Sequence, residues 1–254
     1  TGVQTCALPI CLDPKTGTLI RDGVPSIINP DDKSGLEAAL QLKDSHGAEV
    51  IVITMGPPQA DLALREALAM GADRAILLTD RAFAGSDTWA TSSALAGALR
   101  HIPFDLIIAG RQAIDGDTAQ VGPQIAEHLK LPSVAYVESI EPIEGGLIVK
   151  RSFEDSYHRI KVKFPCLITA LKELSHPRYM RVSGIYEAFR NRDVEVWSVD
   201  NITVDASNLG LKGSPTKVKK SFTKGAKSAG KVFDGDAKEA AQVIVEKLKE
   251  RFIL

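Results

Sequence analysis

"AEVIVITMGPPQADLALREALAMGADRAILLTD", Ala48 to Asp80, is the stretch whose reading decides the fold. It opens with a short apolar run, breaks at Gly56, Pro57 and Pro58, and continues with apolar residues at helical spacing as far as Gly71. It then closes on a second short apolar run. Two runs of strand length joined by an amphipathic helix specify a βαβ unit. Gly71 ends the helix at the position where glycine is the preferred stop. The alternation extends in both directions. Upstream, PDDKSGLEAALQLKD reads as a helix from about Asp31, with Asp31 and Asp32 as cap and first-turn acids and Leu36, Leu40 and Leu42 as its apolar stripe. Downstream come a helix over DTWATSSALAGALR, a strand FDLIIAG and a helix TAQVGPQIAEHLK. Short buried apolar cores between helices call for strands covered on both faces, so the expected class is α/β with a doubly wound, mostly parallel, Rossmann-like sheet.

From Leu131 the period changes. The stretch PSVAYVESIEPIEGGLIVKRSFEDSYHRIKVKFPCLITAL alternates apolar and polar residues around Gly145, Gly146 and Asp155, which predicts an antiparallel extension. A helix after Arg178 is expected to end near Asn191, Arg192 and Asp193. The segment from about Asn201 to Asp234 lacks apolar periodicity and is rich in Lys, Ser, Gly and Pro, which reads as an extended arm. The chain closes with DAKEAAQVIVEKLKERFIL, where Ala240, Val243, Ile244 and Leu248 share a helical face.

With 254 residues, 44% of them hydrophobic, the chain suffices for one large α/β domain and an appendage. No apolar run approaches the length of a membrane span, and none is expected. A net charge of −1 supplies no field for nucleic acid or anionic lipid. Cys6, Cys11 and Cys166 form no disulfide framework, which makes a reducing cytoplasm the expected compartment. His46, His101, His128, His158 and His176 are scattered without metal-ligand spacing, so no metal site is expected. No nucleophile, base and orienting group stand in a catalytic order, and no catalytic residue is assigned.

Polar residues concentrate in AGRQAIDGDTAQVGPQIAEHL, Ala109 to Leu129, at the end of a buried strand. Ligands of doubly wound sheets sit outside the carboxyl ends of the strands. Gly110 and Gly116 permit close backbone approach, Asp117 or Thr118 can cap the next helix, and that helix start offers free N–H groups to an anion. Arg111 can pair with phosphate, and Asp115 or Asp117 with ribose hydroxyls. The residues alone leave a nucleotide cradle and a simple helix cap equally open, because neither GxGxxG nor P-loop spacing is present. IINPDD, with Asn29 and Pro30, and ITMGPP, with Met55 and Gly56, end neighbouring strands and point to the same crevice.

The stretch AGRQAIDGDTAQVGPQIAEHLKLP resembles the signature loop of the electron transfer flavoprotein beta subunit. The likeness continues through TGTLIRDGVPSIINPDD, ALAMGADRAILLTD, HPRYMRVSGIYEAF and GLKGSPTKV, from about Asp13 to the C-terminus. The resemblance implies an adenine-nucleotide-binding fold, a heterodimer with an alpha subunit, and a bound FAD or, alternatively, a structural AMP. By motif, the nucleotide contacts are Asn29, Pro30, Asp31, Asp32 and Met55, together with Gly110, Arg111, Gln112, Ala113, Ile114, Asp115, Gly116, Asp117, Thr118, Ala119, Gln120 and Val121. The GLKGSPTKV and PRYM motifs look like the electron-bifurcating, anaerobic branch, which favours FAD. Electrons would then pass between dehydrogenases, such as acyl-CoA dehydrogenase, and other redox partners. The chain is expected to be a carrier subunit, with NADH-linked bifurcation possible only in the heterodimer. A stand-alone adenine-nucleotide-using enzyme is the remaining reading, and the absence of a P-loop weighs against it.

The resemblance also implies a docking segment at Arg178, Tyr179, Met180, Arg181, Val182, Ser183, Gly184 and Ile185, with Val182 as an exposed apolar anchor. The residues alone allow Val182 and Ile185 to begin a buried helix face. Ser156 stands where the family often has glycine, which implies a changed turn. The family opens with a strand of Val-Lys-x-Val-Pro-Asp type, whereas this chain has TGVQTCALPIC, which does not match. The expected organisation is a non-native segment over 1–12 that lacks a central strand and part of the pocket, a nucleotide-binding domain over 13–200, and a partner-wrapping arm with a C-terminal helix over 201–254.

Overall fold

A computed structural model of the chain describes residues 3–5, 26–114, 116–216 and 235–252. The chain divides into two compact units, residues 1–218 and 219–254. In the first unit, β1 (Val3–Thr5) pairs antiparallel with β2 (Ser26–Ile28), and β2 leads into α1 (Pro30–His46). Then follow β3 (Ile51–Met55), α2 (Asp61–Met70), β4 (Arg74–Leu78), α3 (Thr88–Leu99), β5 (Leu106–Gly110) and α4 (Val121–Leu129). This is the strand and helix alternation expected from Ala48 to Leu129. Gly71 closes α2 at φ 128°, and its N–H donates to the carbonyls of Ala67 and Leu68.

The next elements are β6 (Ser133–Ile143), β7 (Gly146–Ser152), β8 (Tyr157–Lys163) and β9 (Cys166–Ala170), followed by α5 (Val182–Arg190), β10 (Glu195–Trp197) and α6 (Gly210–Gly213). The second unit holds α7 (Ala237–Glu250), whose Val243 and Ile244 are exposed. Among the described residues no helix is long and apolar enough to cross a membrane.

The architecture is mixed α/β with parallel strands. β10, β4 and β3 form a parallel three-stranded sheet. A five-stranded sheet has the order β5-β9-β6-β7-β8. Its β6, β7 and β8 are antiparallel, as the alternation predicts, but β9 does not belong to that set. It pairs parallel with both β5 and β6. All five of its residues are buried, as expected of a strand with helices and hairpin closing over it, and its run of apolar residues was the legible sign. Burial pushes the thiol of Cys166 up to about 11, consistent with an inert core side chain.

Successive strand residues feed different apolar clusters. Ala75 and Leu77 of β4 join Leu36, Leu40, Leu64 and Leu68 of α1 and α2, whereas Leu78 joins Leu95, Leu99 and Ile125 of α3 and α4. Each fully buried Leu or Ile contributes roughly 1.5–3 kcal/mol, so the two clusters hold the helices to the sheet.

Candidate functional site

Asn29 links β2 to α1 and is 1% exposed. It occupies the cap position of α1 without capping it. Its Nδ2 instead donates to Asp32 Oδ2 at 2.8 Å and to the carbonyl of Gln112 at 2.9 Å. Asp32 Oδ1 in turn accepts from the backbone N–H of Gly110 at 2.7 Å. The start of α1 and the end of β5 are thus sewn together. A Cβ on Gly110 would lie 2.7 Å from Asp32 Cγ and 2.8 Å from the Asp32 nitrogen, so glycine is required for contact with the chain's own helix. Gly116 meets nothing within 4 Å and is exposed.

Arg111 Nε lies 3.4 Å from Asp31 Oδ2, and Asp31 is 8% exposed. Burial holds the Asp31 carboxyl above its ordinary range against the pull of Arg111, with repulsion from Asp32 and Glu173 adding to the rise. A raised acid stabilises the fold below its unfolded value, and that contribution is lost as pH rises through the folded value. Asp31→Asn removes the dependence. The gap in thermal midpoint between variant and wild type is therefore expected to move in the variant's favour as pH climbs above 3.8, and a constant gap would contradict it.

The loop after β5 is closed by its own side chains. Gln112 Nε2 donates to Asp117 Oδ1, and the Asp117 N–H donates to the carbonyl of Ala113 at 2.8 Å. Asp117 and Ala119 take left-handed backbone conformations, at φ 49° and 53°. These turn the chain once more before the helix, which begins only at Val121. Capping of α4 by Asp117 or Thr118 is therefore corrected: the cap position belongs to Gln120, and no side chain caps the helix. Gln120 Oε1 accepts from Thr88 Oγ1 at 2.9 Å, which ties the start of α4 to the start of α3. Met55 and Val121 pack on the same apolar cluster, Ile114 and Thr118 are exposed, and Asp115 lies outside the described residues.

Asn29 Oδ1, Thr54 Oγ1 and Gln124 Oε1 are buried without a hydrogen-bond partner among the described residues. Thr54, Thr88 and Gln124 were not singled out in the sequence. Thr54 could have been, as the polar interruption of IVITM, whereas a lone glutamine on a helix carries no signal. An uncapped helix start and a guanidinium can receive an anion, and orphaned amide oxygens can receive hydroxyl or amino groups.

The segment before α5 divides into an anchor and an exposed part. Arg178 donates to both carboxylate oxygens of Glu37 at 2.8 and 3.0 Å and to Asp44 at 2.8 Å. Arg178 is therefore committed to α1. Tyr179 is 97% exposed and Val182 85%, so a buried helix face starting at Val182 is excluded. Val182, Tyr186 and Phe189 recur at helical spacing and share an exposed apolar face, with Arg65 over the Phe189 ring at 5.5 Å. Tyr186 and Phe189 extend the segment expected from sequence, and that spacing was their available signal. Beneath them Gly184 packs on α2, where a Cβ would meet the carbonyl oxygen of Ala69.

Of the arm expected over 201–234, the described part runs along α3 rather than free of the first unit. The Thr203 N–H donates to the carbonyl of Gly97 at 3.2 Å, and the Leu211 N–H to that of Ala84 at 3.0 Å. Ser214 Oγ and the Thr216 N–H engage Asp87, the cap of α3. Lys217, Lys219, Lys220, Lys224, Lys227 and Lys231 lie outside the described residues, as do Val218, Phe222 and Val232.

Residues 16–201 match the electron transfer flavoprotein domain. The electron transfer flavoprotein subunit beta of Clostridium acetobutylicum is 60% identical over 239 residues, covering 94% of this chain and 92% of that protein. Subunit CarD of the caffeyl-CoA reductase-Etf complex of Acetobacterium woodii is 54% identical, covering 96% and 94%. Protein FixA of Bradyrhizobium diazoefficiens is 45% identical, covering 93% and 85%. These likenesses span the α1–β5 junction, the loop into α4 and the exposed face of α5, and on them the chain belongs to the electron transfer flavoprotein family, among its beta subunits.

Proposed function

We propose that the crevice formed by the α1–β5 junction and the start of α4 holds an adenine nucleotide, and that the nucleotide is FAD. The observation that carries this reading is Asn29. Its Nδ2 is spent on joining the two loops, while its Oδ1 is buried and without a partner among the described residues. Around it, Arg111 and the uncapped start of α4 suit phosphates, and Met55, Val121 and exposed Ile114 supply apolar surface for flat rings. The bound flavin would supply the redox chemistry. The chain's residues bind it, fix its orientation and shield part of it from water.

The remaining assignments follow from the same reading. The chain works in the cytoplasm as a heterodimer with an alpha subunit, and α7, whose Val243 and Ile244 are exposed, packs on that partner. The CarD relative carries a name that places it in a CoA-reductase complex, which favours an electron-bifurcating assembly with a dehydrogenase of acyl-CoA type. Flavin counted per purified heterodimer tests the cofactor. Close to two flavins is the expected result, whereas one flavin with one AMP would replace FAD by AMP in this crevice.

The dehydrogenase docks on the exposed face of α5. Interface hot spots combine an apolar or aromatic anchor with a charged rim, and Tyr179, Val182 and Tyr186 stand beside Arg181 and Arg190. Val182→Asp is expected to slow electron transfer to the dehydrogenase at least tenfold while leaving flavin content and thermal midpoint unchanged. Transfer at the wild-type rate would remove Val182 from the contact.

A further inference from the structure

α1 carries a row of buried polar residues. Asp31, Ser34 and Glu37 are all buried, although burying such groups costs free energy unless each is hydrogen-bonded. Spaced three residues apart, they share one side of the helix, and Asp44 lies about two turns further along it. All four bond to one segment, residues 171–178, which belongs to no helix or strand. The Asp31 carboxylate accepts from the Lys172 N–H. Ser34 Oγ accepts from the Ser175 N–H at 2.9 Å and donates to the Ser175 carbonyl at 3.1 Å. Glu37 Oε2 accepts from the Arg178 N–H at 3.0 Å and from its guanidinium at 2.8 Å, and Asp44 accepts from the same guanidinium at 2.8 Å. The ties fall in the same order on the helix and on the segment, so the segment runs along α1 as a strap.

The two ends of the strap lie at different places. At the first tie, Asp31 also stands 3.4 Å from Arg111, at the crevice. Just past the last tie the chain emerges at the exposed Tyr179 and Val182. α1 itself is held against the sheet, because a Cβ on Gly35 would lie 2.9 Å from Ile108 Cγ2 of β5 and 3.4 Å from Ala170 Cβ of β9. The helix is therefore a stiff base, and the strap is the part whose order can change.

We propose that this strap transmits nucleotide occupancy from the crevice to the docking segment, with Ser34 and Glu37 as positioning residues. The inference rests on the nucleotide crevice and the docking face proposed for this chain. A nucleotide held beside Arg111 fixes the Asp31 carboxylate and with it the first tie. Order gained there leaves the following ties fewer conformations to sample, and the backbone before Tyr179 then loses less freedom when a partner docks. The coupling is reciprocal, so a docked partner also tightens nucleotide binding.

Amide hydrogen exchange measured residue by residue on the full chain, with AMP and FAD as probes, tests this. Nucleotide is expected to slow the Lys172, Ser175 and Arg178 amides by at least about fivefold, the lower end of ordinary couplings between sites. The Thr203 amide, bonded to Gly97 of α3, is the remote reference and is expected to keep its rate. Ser34→Ala cuts the middle tie and leaves the crevice in place. It is expected to bind nucleotide as the wild type does and to retain the response at Lys172 while losing it at Arg178. Glu37→Gln weakens the last tie only, and should reduce the response at Arg178 and spare those at Lys172 and Ser175. Slowing at Lys172 alone in the wild type, equal slowing at Thr203, or an Arg178 response that survives in both variants would overturn the coupling and leave the nucleotide reading standing. Failure of both AMP and FAD to bind would overturn the two together.

Discussion

Gly110→Ala is expected to lower the thermal midpoint by roughly 2–12 °C and to cost the protein most of its bound nucleotide. The added methyl group arrives 2.7 Å from Asp32 Cγ and 2.8 Å from the Asp32 backbone nitrogen. The carboxylate could swing away, but the backbone nitrogen belongs to the first turn of α1 and cannot. Overpacking of this kind costs about 1–3 kcal/mol, and in a unit of this size each kcal/mol moves the midpoint by about 2–4 °C. The functional loss exceeds the loss of stability, because separating β5 from α1 breaks the Gly110 to Asp32 bond and carries the Gln112 carbonyl away from Asn29. Gly116→Ala is the matched control. Among the described residues nothing lies within 4 Å of that site, so it should retain stability, which separates the collision with α1 from any effect of the loop on nucleotide. Calorimetry and nucleotide content after gel filtration check the pair, and equal behaviour of the two variants would sink the distinction.

Arg178→Ala is expected to destabilise the first unit by about 2–4 kcal/mol at neutral pH. Glu37 is 4% exposed and sits on α1 with both carboxylate oxygens bonded to Arg178. Removing the guanidinium leaves a buried carboxylate with no opposite charge beside it, held only by the residue-178 N–H and Gln41. The expected cost falls somewhat below that of a fully buried pair, because the Arg178 side chain is 30% exposed. The pH dependence identifies the cause. Burial alone would raise the Glu37 carboxyl, but the hydrogen bonds from Arg178 hold it below its ordinary value of 4.5. In the wild type its contribution is present above 4.5 and is lost as pH falls through the lowered folded value. In the variant burial is opposed only by the backbone N–H of residue 178 and by Gln41, the folded value rises above that of the wild type, and the stability that the lowered carboxyl contributed is lost. The difference between the proteins is therefore widest near pH 7 and narrows as pH falls toward 4. A gap that does not vary with pH would mean that Arg178 acts through packing and not through Glu37.

The α/β alternation from Ala48 to Leu129 was legible because its causes are local. The apolar runs are of strand length, the helical stripes repeat at 3.6 residues, and Gly71 stops a helix through its own backbone freedom. The antiparallel hairpins over β6, β7 and β8 were legible for the same reason, since alternation and turn glycines lie close in sequence. Motif likeness carried the family and singled out the loop after β5, because a run of specific residues survives any ignorance of what it touches.

Contacts across long sequence separations were decided by the tertiary structure. Gly110 looked like a glycine opened for a ligand, yet the atoms it makes room for belong to Asp32, 78 residues earlier. Arg178 looked like part of a docking surface, yet it is bound to Glu37, 141 residues away, and it exposes Tyr179 and Val182 by holding the chain beneath them. β9 looked like one more antiparallel strand. Its partners β5 and β6 were set by which slot in the sheet remained to be filled, and a strand's own period of two cannot encode that choice. The helix start at Val121 depended on left-handed turns at Asp117 and Ala119, conformations that ordinary side chains adopt only when the surrounding loop compels them. Local composition determines which elements form, whereas edges, gaps and buried pairs arise only when distant elements compete for the same space.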